Sequence, residues 1–162
     1  MNLSYKYRLQ PPSAQKRILE EQLNHCRLTY NILLKHCYDE RRAGRGTPTH
    51  KSLTYILPEL KAVTPELERV FSQVLQNVAR RVRLGFENYW ARRRAGLKAT
   101  TPNFRRARDY NSLTYPQFGF KLDGSRARPI GWNSHRGSEE LSEVGSQVEE
   151  AASHHQQTMC GL

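Results

Sequence analysis

The chain has 162 residues, with 26 Lys and Arg against 15 Asp and Glu, a net charge of +11, and 37% hydrophobic residues. A pI near 10.0 and a mean hydropathy of −0.79 argue against a large apolar core, and no run approaches the ~18 apolar residues of a membrane helix. Cys26, Cys37 and Cys160 form no CxxC pair, which argues against a zinc ribbon or a secreted disulfide framework.

The charge is unevenly distributed. Residues 1–128 hold 25 of the basic and 10 of the acidic residues, a net of +15, whereas 129–162 hold Arg136 and five Glu, a net of −4. A cluster of this sign points to a polyanionic partner, because Lys and Arg displace counterions from a phosphate backbone.

In chain order, NLSYKYRL (2–9) alternates strictly and predicts a half-buried strand, with Lys6 and Arg8 on its polar face. Pro11 and Pro12 end it, and Ser13 is placed to cap the next element. From Ala14 to about Ala43, Ile18, Leu19, Leu23, Cys26, Tyr30, Leu33, Leu34 and Cys37 recur at helical spacing. A basic turn (Arg41, Arg42, Gly44, Arg45, Gly46) precedes a short helix from Lys51 to Leu57, which Pro58 is expected to stop.

Thr64 and Pro65 are expected to cap and open the longest helix, roughly Pro65 to Ala95. Its stripe is Leu67, Val70, Phe71, Val74, Leu75, Val78, Val82, Phe86 and Tyr89; Arg80 and Arg83 lie opposite, Arg92, Arg93 and Arg94 ring its end, and Gly96 stops it. LKATTPNFRRARD (97–109) reads as a basic loop. In YNSLTYPQFGFKL (110–122) the alternation slips by one at Pro116–Gln117, which predicts a bulged strand. From about Pro129 the composition is that of a disordered tail. The expected fold is α+β, mainly α: a helical insert in a small β element.

The candidate phosphate contacts are Lys6, Arg8, Arg27, Arg80, Arg81, Arg83, Arg92, Arg93, Arg94, Lys98, Arg105, Arg106 and Arg108. Tyr30, Asn31, Tyr115 and Gln117 are candidates for base or sugar contact by stacking and hydrogen bonding, and Gln73 is a further nucleic-acid-binding candidate. Each has a structural reading beside the functional one: Tyr30 lies on the apolar stripe, Asn31 is able to brace a neighbouring loop, and Gln117 to satisfy the bulge.

The segments YKYRLQP, CRLTYN, LPELK, QVLQNVARRVRLGFENYWARRRAG, PNFRR and SLTYPQFGFKL, in this order and spacing, carry a resemblance over residues 3–128. The set resembles the N-terminal part of TnpB or OrfB-type transposases, transposon-encoded RNA-guided DNA endonucleases. The resemblance implies a first strand of a wedge-like β element (1–10), a helical nucleic-acid-recognition lobe of helix-turn-helix type (11–98), and a basic loop with a return strand (99–128). Together these would form a recognition lobe inserted into an incomplete small β-barrel; the charge swing after it reads as an acidic tail (129–162), either out of frame after a frameshift or an evolved segment that screens the basic body. Leu28 and Thr29 stand where an aromatic is commoner, and Asn103 where a basic residue is common.

The family's RuvC-like nuclease, with its metal-binding carboxylates and zinc ribbon, has no counterpart here; Asp39, Asp109 and Asp123 do not supply those carboxylates. The expectation is a binding protein without catalytic residues, metal or cofactor, acting in transposon-associated DNA recombination. Its expected partners are DNA, guide RNA and an intact transposase or nuclease-bearing chain. It is expected to be cytoplasmic and nucleoid-associated, with no membrane partner. The alternative reading is a non-catalytic regulator that competes with an intact transposase for RNA or DNA.

Overall fold

The computed structural model describes residues 10–115, 120–123 and 126–129. Helix α1, Ser13–Arg42, is a single 30-residue helix. Its stripe buries Cys26, Tyr30, Leu33, Leu34 and Cys37, and Thr29 is buried among them with its hydroxyl donating to His25 O at 3.0 Å. Ser13, expected as the cap, is already the first helical residue. The helix ends in a Schellman turn: Arg45 N–H reaches Glu40 O (3.0 Å) and Gly44 N–H reaches Arg41 O (3.1 Å). That turn requires the left-handed φ of 76° at Gly44, a conformation open to glycine.

Helix α2, His50–Val63, is capped by the Thr49 side chain, which accepts from Ser52 N–H at 3.2 Å. It corrects the expectation of a stop at Leu57, since it runs through the exposed Pro58 for a further turn. Pro58 removes one backbone donor at a cost of about 3 kcal/mol. Buried Leu53 and Leu57, with Ile56 and Leu60 packed on the same cluster, offset it.

The single helix expected over Pro65–Ala95 is instead a 3-10 turn, Pro65–Arg69, followed by helix α3, Ser72–Arg94. Val70 and Phe71 between them are extended (ψ 128° and 129°). Leu67, Val70 and Val74 stay buried across this break, so the apolar period passes through a change of direction. Thr64 caps no helix with its side chain; its backbone N–H closes α2 on Leu60 O. A second Schellman turn ends α3, with Leu97 N–H on Arg92 O (2.9 Å) and Gly96 N–H on Arg93 O (3.1 Å).

One compact unit spans Glu20–Pro116. Its core joins the stripes of α1, α2 and α3, with Tyr110 buried among them and Leu113 and Tyr115 packed against them. Residues 110–115 are therefore extended coil rather than the first half of a strand. Their acceptors face an arginine, since Arg81 donates to Ser112 O (2.9 Å) and to Thr114 Oγ1 (2.7 Å).

Outside this unit the described residues include a hairpin of β1, Phe120–Asp123, and β2, Arg126–Pro129, antiparallel with Phe120 opposite Pro129 and Asp123 opposite Arg126. The protein is mainly helical, and its described residues hold this hairpin and no barrel. The predicted strand at 2–9, the bulge at Pro116–Gln117 and the tail from 130 onward lie outside the described residues.

Candidate nucleic-acid interface

The arginines of the helical unit fall into two groups, separated by what their guanidinium groups touch. In the first group they hold the chain together. Arg81 ties α3 to the 112–114 segment and lies 5.6 Å from the Tyr110 ring centre. Arg83 pairs with Glu87 (2.8 Å) and donates to Thr47 O (3.3 Å) and Pro48 O (3.1 Å), fixing the α1–α2 connection onto α3. Arg92 donates to Lys98 O (3.1 Å) and Arg93 to the Tyr89 hydroxyl (3.3 Å).

Arg27 grips Asn24 Oδ1 (2.7 Å) and reaches Arg105 O at 3.5 Å. Beside it, Asn31 holds residue 105 at two points: its Nδ2 donates to Arg105 O (3.0 Å) while its Oδ1 accepts from Arg105 N–H (2.8 Å). Asn31 is thus the brace of the basic loop. Tyr30 is buried in the core, and Tyr115 is half-buried with its hydroxyl on Gln22 Oε1 at 2.8 Å. These two aromatic candidates are packing residues; Lys6, Arg8 and Gln117 lie outside the described residues.

The second group is open. Arg80, Arg94 and Lys98 are exposed, and among the described residues no hydrogen bond or ion pair engages their side-chain cations. On α3, at ~100° per residue, Gln73, Arg80, Leu84, Glu87 and Arg94 share the ridge facing away from the core. Arg80 and Arg94 stand about 21 Å apart on it at 1.5 Å per residue. The Arg105 guanidinium stacks 5.8 Å from the Tyr30 ring centre and forms no hydrogen bond within the described chain. Arg106 and Arg108 share Asp109, at 3.0 and 3.9 Å; such exposed pairs are worth about 0–1 kcal/mol, so a phosphate can displace the carboxylate.

Most of the acidic residues nearby are neutralised within the helices. A hydrogen bond from Lys35 holds the Asp39 carboxyl below its ordinary range, and one from Arg45 does the same for Glu40. Asp39 sits within α1. Among the described residues no group of three or more His, Cys, Asp and Glu could hold a metal ion. Burial pushes the Cys26 thiol up to about 12 and Cys37 to about 11, in both cases against the pull of neighbouring arginines; both are free, inert core thiols.

The periodicity overlooked Arg41, whose guanidinium lies 5.4, 5.8 and 5.2 Å from the rings of Phe86, Tyr89 and Trp90. The signal was available in the clustering of aromatics at 86, 89 and 90, three and four residues apart on one helix. Trp90 remains 41% exposed beside the basic end of α3. The amides of Asn88, Asn103 and Asn111 were also missed as a group, because only the fold brings them together.

Residues 1–46 match the helix-turn-helix domain of the OrfB proteins of IS605-type insertion sequences. None of the curated proteins compared matches the chain. The described part of the matched segment is α1 and the turn after it; α2 follows across the connection 43–49. That connection is longer than the three or four residues that set a recognition helix of the usual DNA-binding type. Among the described residues no helix is long and apolar enough to cross a membrane.

Proposed function

Because the chain carries the N-terminal helix-turn-helix region of a TnpB/OrfB-type transposase, we infer that it binds DNA and guide RNA in transposon-associated recombination. One observation supports the reading most: the matched region is joined to a helical unit in which Arg80, Arg94 and Lys98 are exposed and, among the described residues, engaged by no hydrogen bond or ion pair. Long basic side chains with no protein partner are what a phosphate backbone requires. The long connection between α1 and α2 favours contact through phosphates over base reading by an inserted recognition helix. The hairpin β1–β2 belongs, on this reading, to the wedge-like β element of such proteins. The same reading has the chain bind without cutting; among the described residues the carboxylates of Asp39, Glu40 and Glu87 pair with basic neighbours.

The test is fluorescence anisotropy with a labelled DNA duplex and a structured RNA of equal length, titrated between 50 and 200 mM salt. Affinity is expected to fall steeply, and each of Arg80→Ala, Arg94→Ala and Lys98→Ala to reduce the slope of log K against log salt by about 1. Weak binding that ignores salt would sink the reading. Metal-dependent cutting by the stringently purified protein would overturn its non-catalytic part.

A further inference from the structure

Between α3 and the segment 100–112 lies a cleft of about 530 Å³. It falls in the ~300–1,000 Å³ range of small-ligand sites and is too small for a helix or a duplex. We propose that this cleft takes a single unpaired nucleotide from a bound nucleic-acid strand. The assignment rests on the nucleic-acid reading above and adds to it the place and manner in which a base is held.

The lining chemistry carries the argument. Asn88, Asn103 and Asn111 contribute three carboxamides and Thr100 and Thr101 two hydroxyls. Among the described residues no hydrogen bond engages any of these side chains. A carboxamide offers a donor and an acceptor side by side, which is the complement of a nucleobase edge. An apolar peptide or an acyl chain would find little here, since the apolar lining is largely Leu84, Pro102 and tyrosine rings.

Charge favours an anion. Arg81 and Arg105 line the cleft, and the one carboxylate among its described lining residues, on Asp109, is already engaged by Arg106 and Arg108. The Arg105 guanidinium lies over the Tyr30 ring at 5.8 Å from its centre, and among the described residues no hydrogen bond engages its N–H groups, which leaves its fork able to grip a phosphate at two points.

The walls are fixed before any ligand arrives. Asn31 clasps the backbone of residue 105, Arg81 holds Ser112 O, and the Tyr38 hydroxyl donates to Pro102 O. Gly85 lets the loop approach α3, because a Cβ there would stand 3.0 Å from Pro102 Cγ. Pre-organisation of this kind lowers the ordering cost of binding.

The experiment uses the full chain and four labelled probes: a blunt duplex DNA, the same duplex with one unpaired nucleotide, a single-stranded DNA and a single-stranded RNA. Asn88→Leu and Asn111→Leu replace the carboxamide by an apolar side chain of similar shape at exposed positions, and Asn88→Asp keeps its size but adds negative charge; thermal melts verify that each folds. The cleft variants are expected to lose about tenfold in affinity for the probes with unpaired nucleotides, the scale of one amide–base pairing, and to bind the blunt duplex as before. The two single-stranded probes decide whether the strand is DNA or RNA. If the wild type binds nucleic acid but the variants lose nothing, or lose equally on every probe, the cleft assignment fails alone. If the wild type binds none of the four at low salt, the function beneath it fails as well.

Discussion

Asn31 carries two hydrogen bonds to one residue 74 positions away, and no other candidate makes so clear a choice between contact and support. Asn31→Ala is expected to lower stability by about 1–2 kcal/mol, the net worth of two such bonds, read by urea denaturation. Proteolysis within 98–109 should accelerate at the same time; an unchanged cleavage rate would mean that other contacts hold the loop. Its neighbour Tyr30 illustrates why residue roles were only partly legible. A tyrosine on an apolar stripe has the same sequence signature whether it packs or stacks on a base, and its ring, 4% exposed, is buried in a core that includes Tyr110, 80 residues on, with ring centres 6.2 Å apart. The arginines posed the same difficulty. Arg80 and Arg81 are adjacent in sequence, yet one is open to solvent and the other is bonded to the 112–114 segment.

Among the elements, α2 yields a clear prediction. Pro58 stands exposed inside a helix held by Leu53 and Leu57, so Pro58→Ala should restore a backbone bond without disturbing the core. A gain of about 1–3 kcal/mol is expected from the propensity difference, seen as a higher melting temperature; a neutral or destabilising result would show that the proline's shape is needed locally. The apolar stripes of α1 and α3 were legible because burial on one face imposes a 3.6-residue period on the sequence. The break at Val70–Phe71 was not legible. Both sides of it bury residues in the same phase, and periodicity records which residues are buried rather than the path between them. The segment 110–115 misled for a related reason: alternation identifies an extended chain, but only a neighbour decides whether its partner is a strand or the side chain of Arg81.

At the scale of the whole molecule, the buried acids set a limit in alkali. Burial raises Cys26 to about 12 from 9.0, Cys37 to about 11 from 9.0, and Tyr110 and Tyr115 each to about 12 from 10.0. All four are neutral when protonated and charged more readily in the unfolded chain, so their contribution is complete below the unfolded values and is lost as pH rises through the folded ones. Stability should therefore hold up to about pH 9 and fall between pH 9 and 12, measured by chemical denaturation at each pH. A flat profile to pH 12 would show that these groups are not desolvated as described.

The sequence by itself determined the basic character of the chain, the buried stripes and the resemblance in the N-terminal region, because net charge and burial are written directly into residue type and spacing. The tertiary structure alone decided which cations are free, which tie the loops to the helices, and which three amides meet in one cleft. Those assignments depend on partners tens of residues distant, and local pattern carries no record of them.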